Sequence, residues 1–182
     1  MREKTLILIF TLCTALCFSQ KYYTEYGVTE FDGSKAAFEP IKAKNESSVS
    51  ILDINDGKIA ALIKISAFNF RLGLMQEHFN ENYLESNIYP TSTFEGSIEN
   101  FDEINLDNTF QEVLIKGELK IKGESNEIRA KGYIKKNNNK IELKSSFSVK
   151  LSEYKIKVPR IVFKKIDEEV KINLNYIYDE KN

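Results

Sequence analysis

The sequence predicts an all-β protein: an eight-stranded antiparallel β-barrel with one short helical excursion between strands. Three observations predict it. Apolar and polar residues alternate through most of the chain, the two-residue period of a half-buried strand. Tight turns rich in Asn, Asp and Gly separate the alternating runs, as in sequential hairpins. Each run is apolar on one face only, so the sheet has one wet side, and long antiparallel strands lose their exposed edges by closing on themselves. A sandwich is the alternative; its strands are usually shorter and its turns more frequent. At 182 residues the chain is ample for one such domain with a sizeable core.

The first residues stand apart. Arg2 and Lys4, with Glu3 between them, precede an apolar run over 6–12 that continues weakly over 13–19. This is the pattern of a secretory signal peptide, too short for a comfortable membrane span. The expectation is a signal peptide over 1–19, cleaved after Ser19 or Gln20, and a single barrel domain over 20–182 that is periplasmic or secreted. A lipid anchor on Cys13 or Cys17 competes, although Leu12 and Leu16 stand where lipoprotein signals carry a small residue. Without its leader the domain has no cysteine, so no disulfide or thiol nucleophile, and must rest on its core. Its charge moves from −1 to −2, because two positive charges and one negative leave with the leader. A nearly neutral domain gives no electrostatic argument for nucleic acid.

The elements follow in order. Residues 22–31 read as a strand ending at Asp32-Gly33, and 37–44 as a weaker strand interrupted by Pro40. Residues 47–54 and 58–68 flank Asn55-Asp56-Gly57, a strong hairpin signal, with Ile59, Ala61, Ile63 and Ile65 in one file. From 74 to 96 the alternation breaks: Leu74, Met75, His78, Phe79 and Asn82 fall at helical spacings. A strand over 91–101 resumes with Phe94, Gly96 and Ile98 on one face, and 113–121 alternates cleanly. After a turn at 123–126, Ile128, Ala130, Gly132 and Ile134 share a face; after a turn at 137–139, so do Ile141, Leu143, Ser145, Phe147 and Val149. Residues 151–158 extend this to Pro159 and a short helical link, and the last strand carries Val170, Ile172, Leu174, Tyr176 and Tyr178 on one face.

A barrel of eight strands is just wide enough to be filled by side chains or to hold one small ligand. The inward file mixes Ile and Leu with Ala61, Gly96, Gly117, Ala130, Gly132 and Ser145. Small inward residues in neighbouring strands leave volume; the competing reading makes the glycines bends where strands coil. The file is almost free of charge, which suits an apolar guest, since burying an unpaired charge is costly. Candidate lining residues are Ile63, Ile65, Phe94, Ile98, Ile115, Leu119, Ile128, Leu143 and Phe147, with Phe79, Tyr83, Leu84 and Tyr89 at the mouth.

Catalytic chemistry finds little purchase. His78 is the only histidine; Glu77, Glu81 and Glu85 lie near it, but a zinc site usually needs several His or Cys ligands. No serine sits in a Gly-x-Ser-x-Gly turn, and the carboxylates fall almost entirely on outward files. The reading is therefore of no catalytic residues, no metal and no cofactor, with a hydrolase or isomerase built on His78 and Glu81 or Glu85 as the enzymatic rival. Asn45-Glu46-Ser47 fits a glycosylation sequon.

The segment HFNENYLESNIYPTSTFEG (78–96) resembles the signature of the YceI-like family: a histidine (His78), an aromatic-apolar-acidic run (Tyr83-Leu84-Glu85), then Tyr89-Pro90 and Phe94 opening a strand. VLIKGELKIKGESNEI (113–128) is similar to a strand pair of the same family, with Ser125 where Thr is usual. The resemblance implies a lipocalin-like barrel that is exported, holds an isoprenoid chain such as a polyprenyl lipid or quinone tail, and has no established reaction. The partner expected is thus an amphipathic lipid, carried or stored, with transient membrane contact allowed and a homodimer left open. An envelope scaffold with a filled barrel, acting through its outer surface, is the alternative.

Overall fold

The computed structural model describes residues 21–35, 39–159 and 166–181. Its strands are β1 (Lys21–Ser34), β2 (Lys42–Asp53), β3 (Lys58–Lys64), the two-residue β4 (Asn69–Phe70), β5 (Thr91–Ile98), β6 (Gln111–Ile121), β7 (Glu124–Asn137), β8 (Lys140–Lys150) and β9 (Ile166–Glu180). The one α-helix among the described residues, α1 (Gly73–His78), runs directly into a π-helical turn, Phe79–Tyr83. Each long strand pairs antiparallel with its neighbours in the order β1-β9-β8-β7-β6-β5-β3-β2, and β1 also pairs with β2, closing the ring. Closure of these eight strands leaves no long edge unpaired, as expected for the barrel.

The turns set the register. Ile121 faces Glu124 across Lys122-Gly123, both at positive φ (50° and 81°), a hairpin twist that matches the twist of the strands. The turn is therefore at 122–123, and the expected turn residues 124–126 already belong to β7. Gly57 (φ 70°) closes the β2–β3 hairpin at the expected place.

Three expected strand boundaries are corrected. The two strands expected over 37–44 and 47–54 are one, β2, because the pairing with β1 runs on from Lys42 to Asp53. The strand expected over 58–68 stops at Lys64. Buried Asn45 donates its side-chain amide to the Lys64 carbonyl (3.0 Å), Ile65 N–H donates to Pro90 O (2.9 Å), and a 3-10 turn (Ile65–Ala67) follows. The short β4 then resumes pairing with β2. Residues 151–158 do not extend β8, since Leu151–Tyr154 is a 3-10 turn. Buried and bonded, Asn45 is also no surface sequon. The expected leader, residues 36–38 and the link at 160–165 lie outside the described residues.

The barrel has two unlike ends. Where β1, β3, β6 and β8 begin, Tyr22, Leu52, Ile134, Ile141 and Tyr178 have almost no accessible surface and join Ile59, Ile98 and Phe101 in one packed core. Phe101 covers the turn glycine, Gly57, so closely that a methyl there would fall 2.6 Å from its side chain. At the other end the excursion over 65–90, the Lys122-Gly123 turn and, among the described residues, Glu39, Ile41, Ile156 and Val158 surround a hollow interior.

Candidate functional site

The hollow is a single cavity of about 460 Å³ in the mouth half of the barrel. Its walls come from every long strand except β2. Inward residues that stay partly accessible mark it, because an inward side chain is accessible only where it borders a void: Ala61, Phe94, Ile128, Phe147, Ile172 and Leu174. Almost all the lining is aliphatic or aromatic.

The floor is aromatic and hydroxylic. Tyr176 and Tyr178 meet edge to face, with ring centroids 6.2 Å apart. The Tyr176 hydroxyl bonds Thr29 (2.9 Å), which bonds Ser48 (2.8 Å); the Tyr178 hydroxyl bonds Ser50 (2.9 Å). Burial pushes both phenols above their ordinary value, with these hydroxyl bonds acting in the other direction. Ser92 and Ser145 also line the wall, and each donates its hydroxyl to a strand carbonyl (Lys120 and Lys131). The hydroxyls of the floor and wall are thus tied to the protein.

The lid is built from the excursion. Leu84 N–H donates to Phe79 O (2.9 Å), the long bond that widens the last turn, and Phe79 is brought against Phe31, Phe68 and Phe70. Phe79 and Phe31 stack at 5.2 Å, and Phe68 and Phe70 meet them at centroid distances of 5.0–5.6 Å. Aromatic pairs in these geometries add to simple area burial. Two contacts pin the excursion to the β6–β7 turn: Lys122 pairs with Glu85 at 2.6 Å, and the Tyr89 ring lies on Gly123. Leu72 and Leu74 line the cavity yet are exposed, so they form its outer lip. Burial raises the Tyr83 phenol above its ordinary value. Exposed Glu39 and His78 also stand at the mouth, and Glu39 pairs with Arg71 (2.9 Å).

Of the residues singled out from sequence, the structure brings Ile63, Ile65, Phe79, Tyr83, Leu84, Phe94, Ile115, Leu119, Ile128, Leu143 and Phe147 to one cavity wall. Tyr89 and Ile98 are not there. Tyr89 is spent on Gly123 outside the cavity, and Ile98 lies in the packed core of the closed end. Sequence reasoning missed Thr29, Phe31, Phe68, Phe70 and Tyr176. Phe68 and Phe70 carry the two-residue period, and Tyr176 sits in an inward file already recognised, so a signal was present for these three.

The glycines do not leave the volume expected of them. A methyl on Gly96 would fall 2.2 Å from the Lys116 carbonyl oxygen and 2.5 Å from the Phe94 ring; one on Gly117 would fall 2.3 Å from the Glu95 carbonyl oxygen. On Gly132 it would meet Ile115 at 2.9 Å. These residues let backbones approach and large side chains lie flat, the coiling role rather than the cavity role. Of the small inward residues, Ala61, Ala130 and Ser145 border the void.

A closed antiparallel barrel with an apolar cavity under an aromatic cluster defines a lipocalin-like barrel. Residues 20–177 match the YceI-like domain, and the chain belongs to that family. Among solved structures it is similar to a polyisoprenoid-binding domain from Saccharophagus degradans implicated in plant cell wall breakdown (12% identity, TM-score 0.76, 88% of this chain and 98% of that one). It is also similar to BcnA of Burkholderia cenocepacia (15%, 0.67, 83% and 95%) and to the YceI protein of Campylobacter jejuni (19%, 0.65, 81% and 90%). At these identities the likeness speaks for the fold. No curated protein matches the sequence.

Proposed function

We propose that this protein is an exported binding protein that holds an amphipathic, isoprenoid-like lipid in its barrel, for transport or storage. The observation that carries the reading is the blind cavity of about 460 Å³ with its almost wholly aliphatic and aromatic lining. Burying an apolar chain there is favourable by roughly 0.8 kcal/mol per methylene before ordering costs. The polyisoprenoid-binding description of the Saccharophagus degradans relative supports it. The leader pattern over 1–19 supports export, and the exposed lip of Leu72 and Leu74 suits brief contact with a membrane during loading. A filled barrel acting as a scaffold would have no such void. A catalytic role would need convergent titratable groups inside, whereas Glu39 and His78 stand exposed at the mouth and Glu39 is already paired.

The test is gentle purification from the native host, solvent extraction and mass spectrometry of the extract. A stoichiometric lipid with an isoprenoid chain is the expected result. Folded protein that comes out lipid-free, and takes up neither polyprenyl lipids nor quinones afterwards, would defeat the reading.

A further inference from the structure

We propose that guests enter and leave the cavity beneath α1, which opens as a strap while the rest of the excursion stays shut on the barrel. This rests on the lipid-holding reading above and adds its gate. The barrel wall is a costly way in. Its eight long strands close into a ring, and parting two of them means breaking a ladder of backbone hydrogen bonds. The closed end is a packed core. Exchange therefore falls to the roof, where Leu74, Met75 and His78 of α1 line the cavity.

The strap is the loosest described part of that roof. None of residues 71–78 is buried. α1 packs chiefly on β4 and on the π-helical turn, both inside the excursion, rather than on the long strands. Leu72 holds the N-cap position without a side-chain capping bond. Gly73, the first helical residue, has nothing within 4 Å of the place where a side chain would begin, and a glycine in a helix leaves the backbone loose. The ties across the strap are slight: the Phe70 N–H to Gln76 Oε1 bond is 3.5 Å long, and the Arg71–Glu39 pair is exposed. Segments with few buried apolar contacts open locally at low free energy, without the rest of the fold.

Both feet of the strap are held. Phe70 lies on β4, which pairs with β2, and its ring meets the Phe79 ring at 5.0 Å, so the two ends of 71–78 are clasped together. Phe79 also stacks on Phe31 at 5.2 Å. Beyond it Leu84 is buried, the largely buried Lys122 pairs with Glu85 at 2.6 Å, and the Tyr89 ring covers Gly123. Lifting 79–90 would part that ion pair and expose the aromatic cluster, whereas lifting α1 leaves both in place. The strap is closed both before and after loading, so loosening or stiffening it changes the rates of entry and exit together and leaves affinity alone.

Two measurements test this. Amide hydrogen exchange of the lipid-stripped protein, read by NMR and corrected for intrinsic rates, identifies the opening unit. The Met75 and Gln76 amides, bonded to the Leu72 carbonyl, should exchange at least about tenfold faster than those of Leu84, Ser86 and Tyr89, bonded within 79–89. Opening of 72–90 as one unit overturns the strap. Stopped-flow uptake of retinol, an isoprenoid alcohol whose fluorescence rises in apolar surroundings, reads the gate. Gly73→Ala favours the helix and Glu77→Gly disfavours it, and neither residue lines the cavity. Gly73→Ala should slow uptake and release alike by about threefold to fivefold, and Glu77→Gly should speed both by a similar factor, with Kd constant within about twofold. Lys122→Met, which removes the ion pair of the clasp, should speed uptake less than Glu77→Gly does. Rates that ignore both strap variants overturn the proposal, and a larger acceleration in Lys122→Met overturns it by placing the gate at the clasp. Natural protein that, once stripped, takes up none of retinol, farnesol and a short-chain quinone overturns the lipid-holding reading itself.

Discussion

Gly117 faces Gly96 across β5 and β6, and the two backbones meet where neither can carry a side chain: a methyl on Gly117 would stand 2.5 Å from the Gly96 Cα. Gly117→Ala must push the strands apart or displace the Phe94 ring, and overpacking of this kind costs about 1–3 kcal/mol. Urea unfolding should show that loss. Gly73→Ala, with nothing within 4 Å and at the first residue of α1, should be neutral or gain up to about 1 kcal/mol. Equal effects of the two changes would refute the packing account. Buried tyrosines give a second prediction. Tyr176 and Tyr178 titrate above the ordinary 10.0, and burial pushes Tyr154 up to about 12. Below about pH 10 folded and unfolded chains hold the same phenol protons. Above it the unfolded chain loses them while the folded one keeps them, so the folded state binds more protons and stability falls as pH rises. Tyr176 and Tyr178 together should contribute a fall of at most about 3 kcal/mol in all between about pH 9 and about pH 11. Urea midpoints between about pH 9 and about pH 11 measure it, and Tyr178→Phe should flatten the slope. A slope unchanged in that variant would speak against the buried phenol. The glycines show where sequence reading stops at this scale. Alternation tells which face a residue is on, but not that a phenylalanine two places away will fold back over it.

The strands were legible as elements because a period of two survives wherever one face is buried, and the eight long runs, their turns and their antiparallel order follow from it. What alternation does not carry is where a ladder is interrupted by a side chain. Asn45 captures the Lys64 carbonyl and helps end β3 early, an event decided by a polar residue on a different strand. Nor does it reveal that one strand replaces the two expected over 37–44 and 47–54: Pro40 falls before β2 begins and interrupts nothing. The excursion was legible as a helix from the spacing of Leu74, Met75, His78 and Phe79, and α1 overlaps the start of the segment that spacing marked, beginning one residue earlier at Gly73. Its widened last turn was not, since a π-helical turn leaves no period of its own in five residues. That turn has a consequence for the site. It brings Phe79 into the Phe31–Phe68–Phe70 cluster while Leu72 and Leu74 remain outside at the lip. Tyr89 lies off the cavity for a related reason: Tyr-Pro marks the end of the excursion, and the ring at that end packs on Gly123 of the Lys122-Gly123 turn.

The molecule divides its labour along the barrel axis. The closed half holds the packed core and supplies stability; the mouth half holds the void and supplies binding. The division predicts different outcomes for inward substitutions at the two ends. Ile134 is fully buried at the closed end, and Ile134→Ala should cost about 2–5 kcal/mol, as buried aliphatic truncations do. Ala61 is inward on β3 but borders the cavity and remains partly accessible. A larger aliphatic side chain there enters empty space instead of a neighbour, and cavity filling commonly gains about 0.5–2 kcal/mol. Ala61→Leu should therefore raise the thermal midpoint of the lipid-free protein. The three added carbons would occupy volume that a guest needs, so the same variant should bind a farnesyl-length chain at least about tenfold more weakly. Thermal melts of the stripped protein, with and without farnesol, read both effects in one experiment. Ligand that binds only the folded state raises the midpoint of the natural protein. In Ala61→Leu the starting midpoint should be higher and the ligand-induced rise smaller. A variant that melts lower without ligand would mean the site is not a void. A variant that melts higher yet keeps its full ligand response would place the guest elsewhere in the barrel. Stability and binding would compete for the same space, the expected relation where a fold keeps part of its interior empty for a guest.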